Sequence, residues 1–159
     1  MTQENNDKAE ELFDLASDCR LLADLDAGEL KTLSRYCRLK RLSGGEQLFA
    51  QGDRNAGLWF LINGQVGIYK EGGSEAQARH ITTVRSGHTL GEISLMDAQP
   101  ASASALAIGD CTLLLLQRDR FELLLKEAPG LGITLLRKVG QQLGRRLRQT
   151  TGMLVDHLE

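Results

Sequence analysis

The sequence predicts a fold that is mainly β with flanking α, and three observations carry that prediction. Between Arg38 and Gln117, short apolar or alternating runs are separated at regular intervals by glycine-bearing turns, the punctuation of antiparallel strands. On both sides of this segment the apolar spacing is helical, with Leu30, Leu33 and Tyr36 before it and Phe121, Leu123, Leu124 and Leu125 after it. One stretch, Leu90 to Ala107, breaks the strand pattern with a glycine, a carboxylate, a short apolar segment and a proline turn.

Taken in order, the chain opens on a polar tail and a short amphipathic helix over Lys8 to Ala16. Asp26 caps a second helix, with Glu29 three residues on as in a capping box, and this helix should end near Cys37. Strands follow at Arg38 to Leu42, Gln47 to Ala50 and Leu58 to Ile62. Asn63-Gly64 is a strong short hairpin signal, so Gln65 to Lys70 should return antiparallel. Glu71 to Ala78 reads as a polar hairpin tip and His80 to Val84 as the next strand. Ser102 to Ala107 and Thr112 to Gln117 read as two strands across a turn at Gly109 and Asp110. A helix over Asp119 to Glu127 is stopped by Pro129 and Gly130, and a longer one runs from about Leu131 to at least Gln149. On it, Leu136, Gly140, Leu143, Leu147, Thr150 and Leu154 form a heptad-like seam, fit either for the chain's own barrel or for a twin subunit. Met153, Leu154, Val155 and Leu158 make an apolar patch beyond Gly152 that is expected to dock on one of those two surfaces.

Composition bounds the function. At 159 residues and a formal charge of −2, the chain is the size of one domain and has no global field toward nucleic acid or acidic membranes. Cys19, Cys37 and Cys111 are odd in number and widely spaced, which fits buried free thiols in a reducing compartment. The acidic, polar N-terminus lacks a signal-peptide pattern and no apolar run approaches spanning length, so the expected location is cytoplasmic, without membrane contact. His80, His88 and His157 have no ligand-like spacing, so no metal is expected. Ser94, Ser102 and Ser104 lack a nucleophile elbow, and the protein is expected not to be an enzyme. Arg145 to Arg148, R-R-L-R, reads as the solvated face of the last helix.

The stretch from Leu90 has the grammar of a backbone pocket for a small anion. Gly91 allows close approach, and the first amides of a short helix opened in this stretch would lack intrahelical partners. A cation would be expected nearby, yet the residue after Pro100 is Ala101.

From about Leu22 to Arg148 the chain resembles a cyclic nucleotide-binding domain. The resemblance rests on an ordered set of motifs: G-E at Gly45 and Glu46, F-x-x-G-D at Phe49 to Asp53, L-W-F-L-I-N-G-Q-V at Leu58 to Val66, and G-E-I-S-L at Gly91 to Leu95. It implies an antiparallel, jelly-roll-like β-roll of about eight strands, with N-terminal helices and two C-terminal helices that swing when ligand binds. The division is then a tail and short helix at 1–21, the roll at 22–128, and the long helix and its tail at 129–159. The implied ligand is cyclic AMP, cyclic GMP or another small anion, with no cofactor. The implied site comprises Gly91, Glu92, Ile93, Ser94, Ala101 and Ser102. Glu92 would accept from the ribose 2′-hydroxyl, the amides around Gly91 to Ile93 would hold ribose and phosphate, and Ser102 would offer its amide and hydroxyl to the phosphate.

In the domains this chain resembles, the residue after the proline is normally an arginine paired with the phosphate, where this chain has Ala101. A hydrogen bond to a charged group is worth about 1.5 to 3 kcal/mol, and a buried charge left unpaired costs about 3 to 5. The alanine therefore removes roughly one to three and a half decades of affinity. Three outcomes stay open: Arg79 or Arg85 substitutes, the ligand is different and less anionic, or the pocket is vestigial. Only eleven residues follow Arg148, too few for a winged helix-turn-helix, so direct DNA binding is not expected. Two readings result. One is a stand-alone, ligand-responsive module that signals to a protein partner through its C-terminal helices. The other is a homodimeric scaffold that has lost its nucleotide.

Overall fold

The computed structural model describes residues 2–54, 57–72 and 78–158. Along the chain these form α1 (Thr2–Ser17), α2 (Ala27–Tyr36), β1 (Arg38–Leu42), β2 (Gln47–Phe49), β3 (Gly57–Lys70), β4 (Arg79–Arg85), β5 (Thr89–Leu90), α3 (Glu92–Asp97), β6 (Ser104–Gln117), α4 (Arg118–Glu127) and α5 (Pro129–Leu158). The strands make one antiparallel sheet in the order β1-β6-β3-β4, with β2 also on β6 and β5 also on β3.

Two long strands organise it. β3 and β6 run against each other from Gly57↔Gln117 to Tyr69↔Ser104. Successive strand side chains point to opposite faces, and here both faces are covered. Leu58, Phe60 and Ile62, with Leu114 and Leu116, pack outward against Leu22, Leu33, Leu124, Leu135 and Val139 from the helical layer. Trp59 and Leu61, with Leu113 and Leu115, pack inward against Val66, Val84, Leu90 and Ala107. The uninterrupted apolar runs L-W-F-L-I and L-L-L-L are thus two cores read alternately along one strand.

The expected hairpins at Asn63-Gly64 and Gly109-Asp110 do not form. Gly64 (φ +101°) and Gly109 (φ +72°) do take the left-handed backbone those dipeptides signal. They spend it on facing irregularities within continuous strands: Gln65 pairs with Ile108 while Asn63 pairs with Thr112. A Cβ at Gly64 would lie 2.5 Å from the carbonyl oxygen of Asp110, so the two kinks nest. Four expected strand segments therefore merge into two, and β5 is added, so the sheet has six strands among the described residues where about eight were expected.

The helices follow their signals more closely. The capping box holds, with the Glu29 amide donating to Asp26 Oδ1 at 2.8 Å and the Asp26 amide to Glu29 Oε1 at 3.2 Å. α1 reaches back to Thr2, where a loose tail was expected. Pro129 stands at the start of α5, where its missing amide hydrogen costs nothing, and α5 continues for 30 residues, about 45 Å. It passes through Gly152 unbroken, and Met153, Leu154 and Val155 are exposed, so the apolar end does not dock on its own domain. Most of the expected hairpin tip at 71–78, and the side chains of His157 and Leu158, lie outside the described residues. All three cysteines are free and buried, and burial pushes the Cys37 thiol up to about 12.

Candidate functional site

Where α3 starts, the backbone of β3 leaves no room for a side chain. Gly91 caps α3 at φ +79°, and a Cβ there would lie 2.3 Å from the carbonyl oxygen of Gly57. Only glycine combines that conformation with that approach. The turn places Glu92 at the first helical position and drives its side chain inward, leaving the residue 4% exposed.

Glu92 meets the C-terminal helix there. Arg146 of α5 donates from Nη1 to Glu92 Oε1 at 2.6 Å and from Nη2 to the Thr89 carbonyl oxygen at 3.2 Å. Thr89, fully buried, donates its hydroxyl to Glu92 Oε2 at 3.3 Å and accepts from Gln142 Nε2 at 2.6 Å. Burial pushes the Glu92 carboxyl above its usual range; Arg146, its own amide and Thr89 pull it down without cancelling that rise. Two side chains one turn apart on α5 thus fasten the helix to the carboxylate.

The opposite wall is built from backbone. The Ala101 amide donates to the Asp53 carbonyl at 2.9 Å and the Gly52 amide to the Ala101 carbonyl at 2.8 Å. The Asp53 carboxylate accepts from the Ala50 amide at 2.9 Å, which closes the Phe49 to Asp53 turn. Between the two walls lies a cavity of about 280 Å³ including its open mouth, lined by Phe49, Asp53, Gly57, Trp59, Gly91, Ser94 and Ala101.

Of the six residues singled out from sequence, Gly91, Ser94 and Ala101 line this cavity. Glu92 is buried beside it and turned toward α5, while Ile93 and Ser102 are exposed and do not line it. Arg79 and Arg85 do not line it either; they sit opposite Lys70 and Gln65 on β3. Sequence reasoning missed Thr89, Gln142 and Arg146. R-R-L-R reads as the solvated face of the last helix, whereas the Arg146 side chain turns inward and is 38% exposed. A signal for this existed, because Leu131, Leu135, Val139, Gln142 and Arg146 continue one stripe at three- and four-residue spacing, apolar first and polar at the site.

The arrangement accepts hydrogen bonds at Glu92 and offers apolar, aromatic and backbone surface elsewhere. No helix is long and apolar enough to cross a membrane among the described residues.

Known proteins match on this same stretch. The family model for the cyclic nucleotide-binding domain matches residues 39–128. The chain is similar to a cyclic AMP receptor protein of Thermus thermophilus, 33% identical over 116 residues that make up 72% of this chain and 50% of the relative. A cyclic nucleotide-binding domain from Methylobacillus flagellatus superposes with a TM-score of 0.77 at 27% identity, covering 92% of this chain and 82% of that one. The catabolite activator protein of Thermus thermophilus does so with a TM-score of 0.71 at 28% identity, covering 85% and 61%. The chain spans about half the length of the curated receptor protein it matches.

Proposed function

Since the chain belongs to the cyclic nucleotide-binding domain family, we propose that it is a non-enzymatic regulatory module in which ligand occupancy is read out through α5. A ribose-bearing ligand of the cyclic AMP or cyclic GMP type enters above Gly91 and places a hydroxyl on Glu92. Ser94 and the α3 amides border its remaining polar groups. The observation that carries this reading is the Arg146–Glu92 pair at 2.6 Å: the carboxylate a ligand hydroxyl would seek already holds the C-terminal helix. A ligand that shares or displaces that contact must shift the balance of α5 positions, because it interacts differently with each of them. The exposed end of α5 then presents a changed surface to a protein partner. The Thermus relative is named a cyclic AMP receptor protein, which favours the same ligand class.

A second reading is favoured by Ala101 and by the exposure of Leu147 (67%) and Leu154 (61%) on the heptad-like seam. It describes a scaffold that has lost its nucleotide and pairs with a second copy through α5. Calorimetric titration of nucleotide-stripped protein with cyclic AMP and cyclic GMP separates the two. Micromolar binding that is lost in Glu92→Ala supports the regulatory module; silence up to millimolar ligand, in a protein that sediments as a dimer, supports the scaffold.

A further inference from the structure

The charge balance of the cavity is wrong for an anion. Among the described residues that line it, Asp53 is the one charged side chain and none is cationic. Arg54, next in the chain, does not line it, and the loop residues outside the described set, Asn55 and Ala56, are uncharged. The nearby guanidinium of Arg146 is already matched, with Nη1 on Glu92 and Nη2 on the Thr89 carbonyl. Counting both walls, Asp53 and Glu92 stand against Arg146 alone. A monoanion placed against Ala101 would therefore meet no unmatched cation among the described lining residues, and no fixed donor charge would replace the water it gives up.

What remains favours a neutral molecule. Phe49, Trp59 and Ala101 supply apolar surface, including two aromatic side chains, and Glu92 supplies an acceptor for a hydroxyl. We infer that the site selects an uncharged, hydroxyl-bearing ligand of nucleoside type over the corresponding cyclic phosphodiester. This rests on the reading that Glu92 receives a ligand hydroxyl, and it replaces the phosphate as the second point of recognition by apolar contact.

The test is selectivity in the unaltered 159-residue chain, stripped of nucleotide and titrated with adenosine, guanosine and their 3′,5′-cyclic phosphates. At least one nucleoside should bind tenfold or more tightly than its cyclic phosphate, and Ala101→Arg should reverse that order. Tighter binding of the cyclic phosphate by the unaltered protein overturns the inference and leaves the regulatory reading standing. No binding of any of the four up to millimolar concentration also overturns it, and the variant then separates the two failures. If Ala101→Arg gains cyclic-nucleotide binding, the Glu92 wall is competent and only the ligand class was wrong. If the folded variant, checked by its melting curve, is silent as well, the regulatory reading falls too.

Discussion

The two walls of the cavity are built on different principles. On the α3 side, every side-chain oxygen of Glu92 and Thr89 has a partner, and two of those partners, Gln142 and Arg146, come from the far end of the chain. On the Ala101 side, the backbone is held just as firmly by the paired bonds to Gly52 and Asp53, but the side chain there ends at a methyl group. The first wall is coupled to α5 through a buried carboxylate, whereas the second is closed on itself by backbone bonds and carries no cation among the described residues. This difference teaches that a loop's backbone geometry and its side-chain charge are separable: the Ala101 turn is held by two backbone bonds although its side chain carries no charge.

The contrast breaks most severely at Gly91. Gly91→Ala must either leave φ +79° or push the β3 backbone away from a 2.3 Å contact, so the α3 wall is lost as a unit. Destabilisation on the order of 3 kcal/mol is expected, a fall in Tm of roughly 6 to 12 °C for a chain of this size, read by circular dichroism.

Arg146→Ala cuts only the link to α5. Breaking a fully buried pair costs about 3 to 5 kcal/mol, but Arg146 is 38% exposed, so about 1 to 2 kcal/mol is expected. A second copy of that substitution on a Glu92→Gln background should cost less, and the shortfall, measured as a double-mutant cycle, is the coupling across the contact.

Glu92→Gln alone sharpens the electrostatic half of the comparison. Burial raises the Glu92 carboxyl above 4.5 in the folded state, so the folded protein holds that proton more tightly than the unfolded chain does. The stability this contributes is complete below the unfolded value and is lost as pH rises through the folded one. The amide has no such loss. Thermal melts from about pH 4 to pH 7 should therefore show Glu92→Gln gaining on the unaltered protein as pH rises, with a net change within about 1 kcal/mol. A flat difference across that range would mean the carboxyl is not perturbed.

The smallest effect concerns the far end of α3, where Ala98 sits in the left-handed region at φ +59°. Ala98→Gly relieves a conformation that costs a non-glycine residue about 1 to 2 kcal/mol and gives back part of that as unfolded-state entropy. A gain of about 0.5 kcal/mol is expected, with ligand selectivity unchanged.

Local chemistry was the part of the fold legible in the sequence. The Asp26 and Glu29 capping box and the short helix after Gly91 each depend on a few neighbouring residues and stand where those residues put them, whereas α5 begins at Pro129, which reads in the sequence as the stop of α4 rather than as the first residue of the next helix. The hairpin signals failed for a physical reason: Asn63-Gly64 and Gly109-Asp110 encode positive φ, and positive φ serves a strand kink as well as a chain reversal. Which of the two occurs depends on the partner strand, and the partner lies some forty residues away. The site was half legible for the same reason. Gly91, Ser94 and Ala101 come from one contiguous motif, whereas Arg146 reaches Glu92 only through the packing of α5, and a run of arginines reads by default as solvent-facing.

Hydrogen exchange along α5, with and without a bound ligand of either nucleoside or cyclic-nucleotide type, tests the coupling most directly. If the Glu92 wall relays occupancy to the helix, ligand alters exchange of the amides from Gln142 to Thr150 as well as those from Gly91 to Ser102, and the α5 response disappears in Arg146→Ala. Protection confined to Gly91 to Ser102, with α5 unchanged in both proteins, would contradict it.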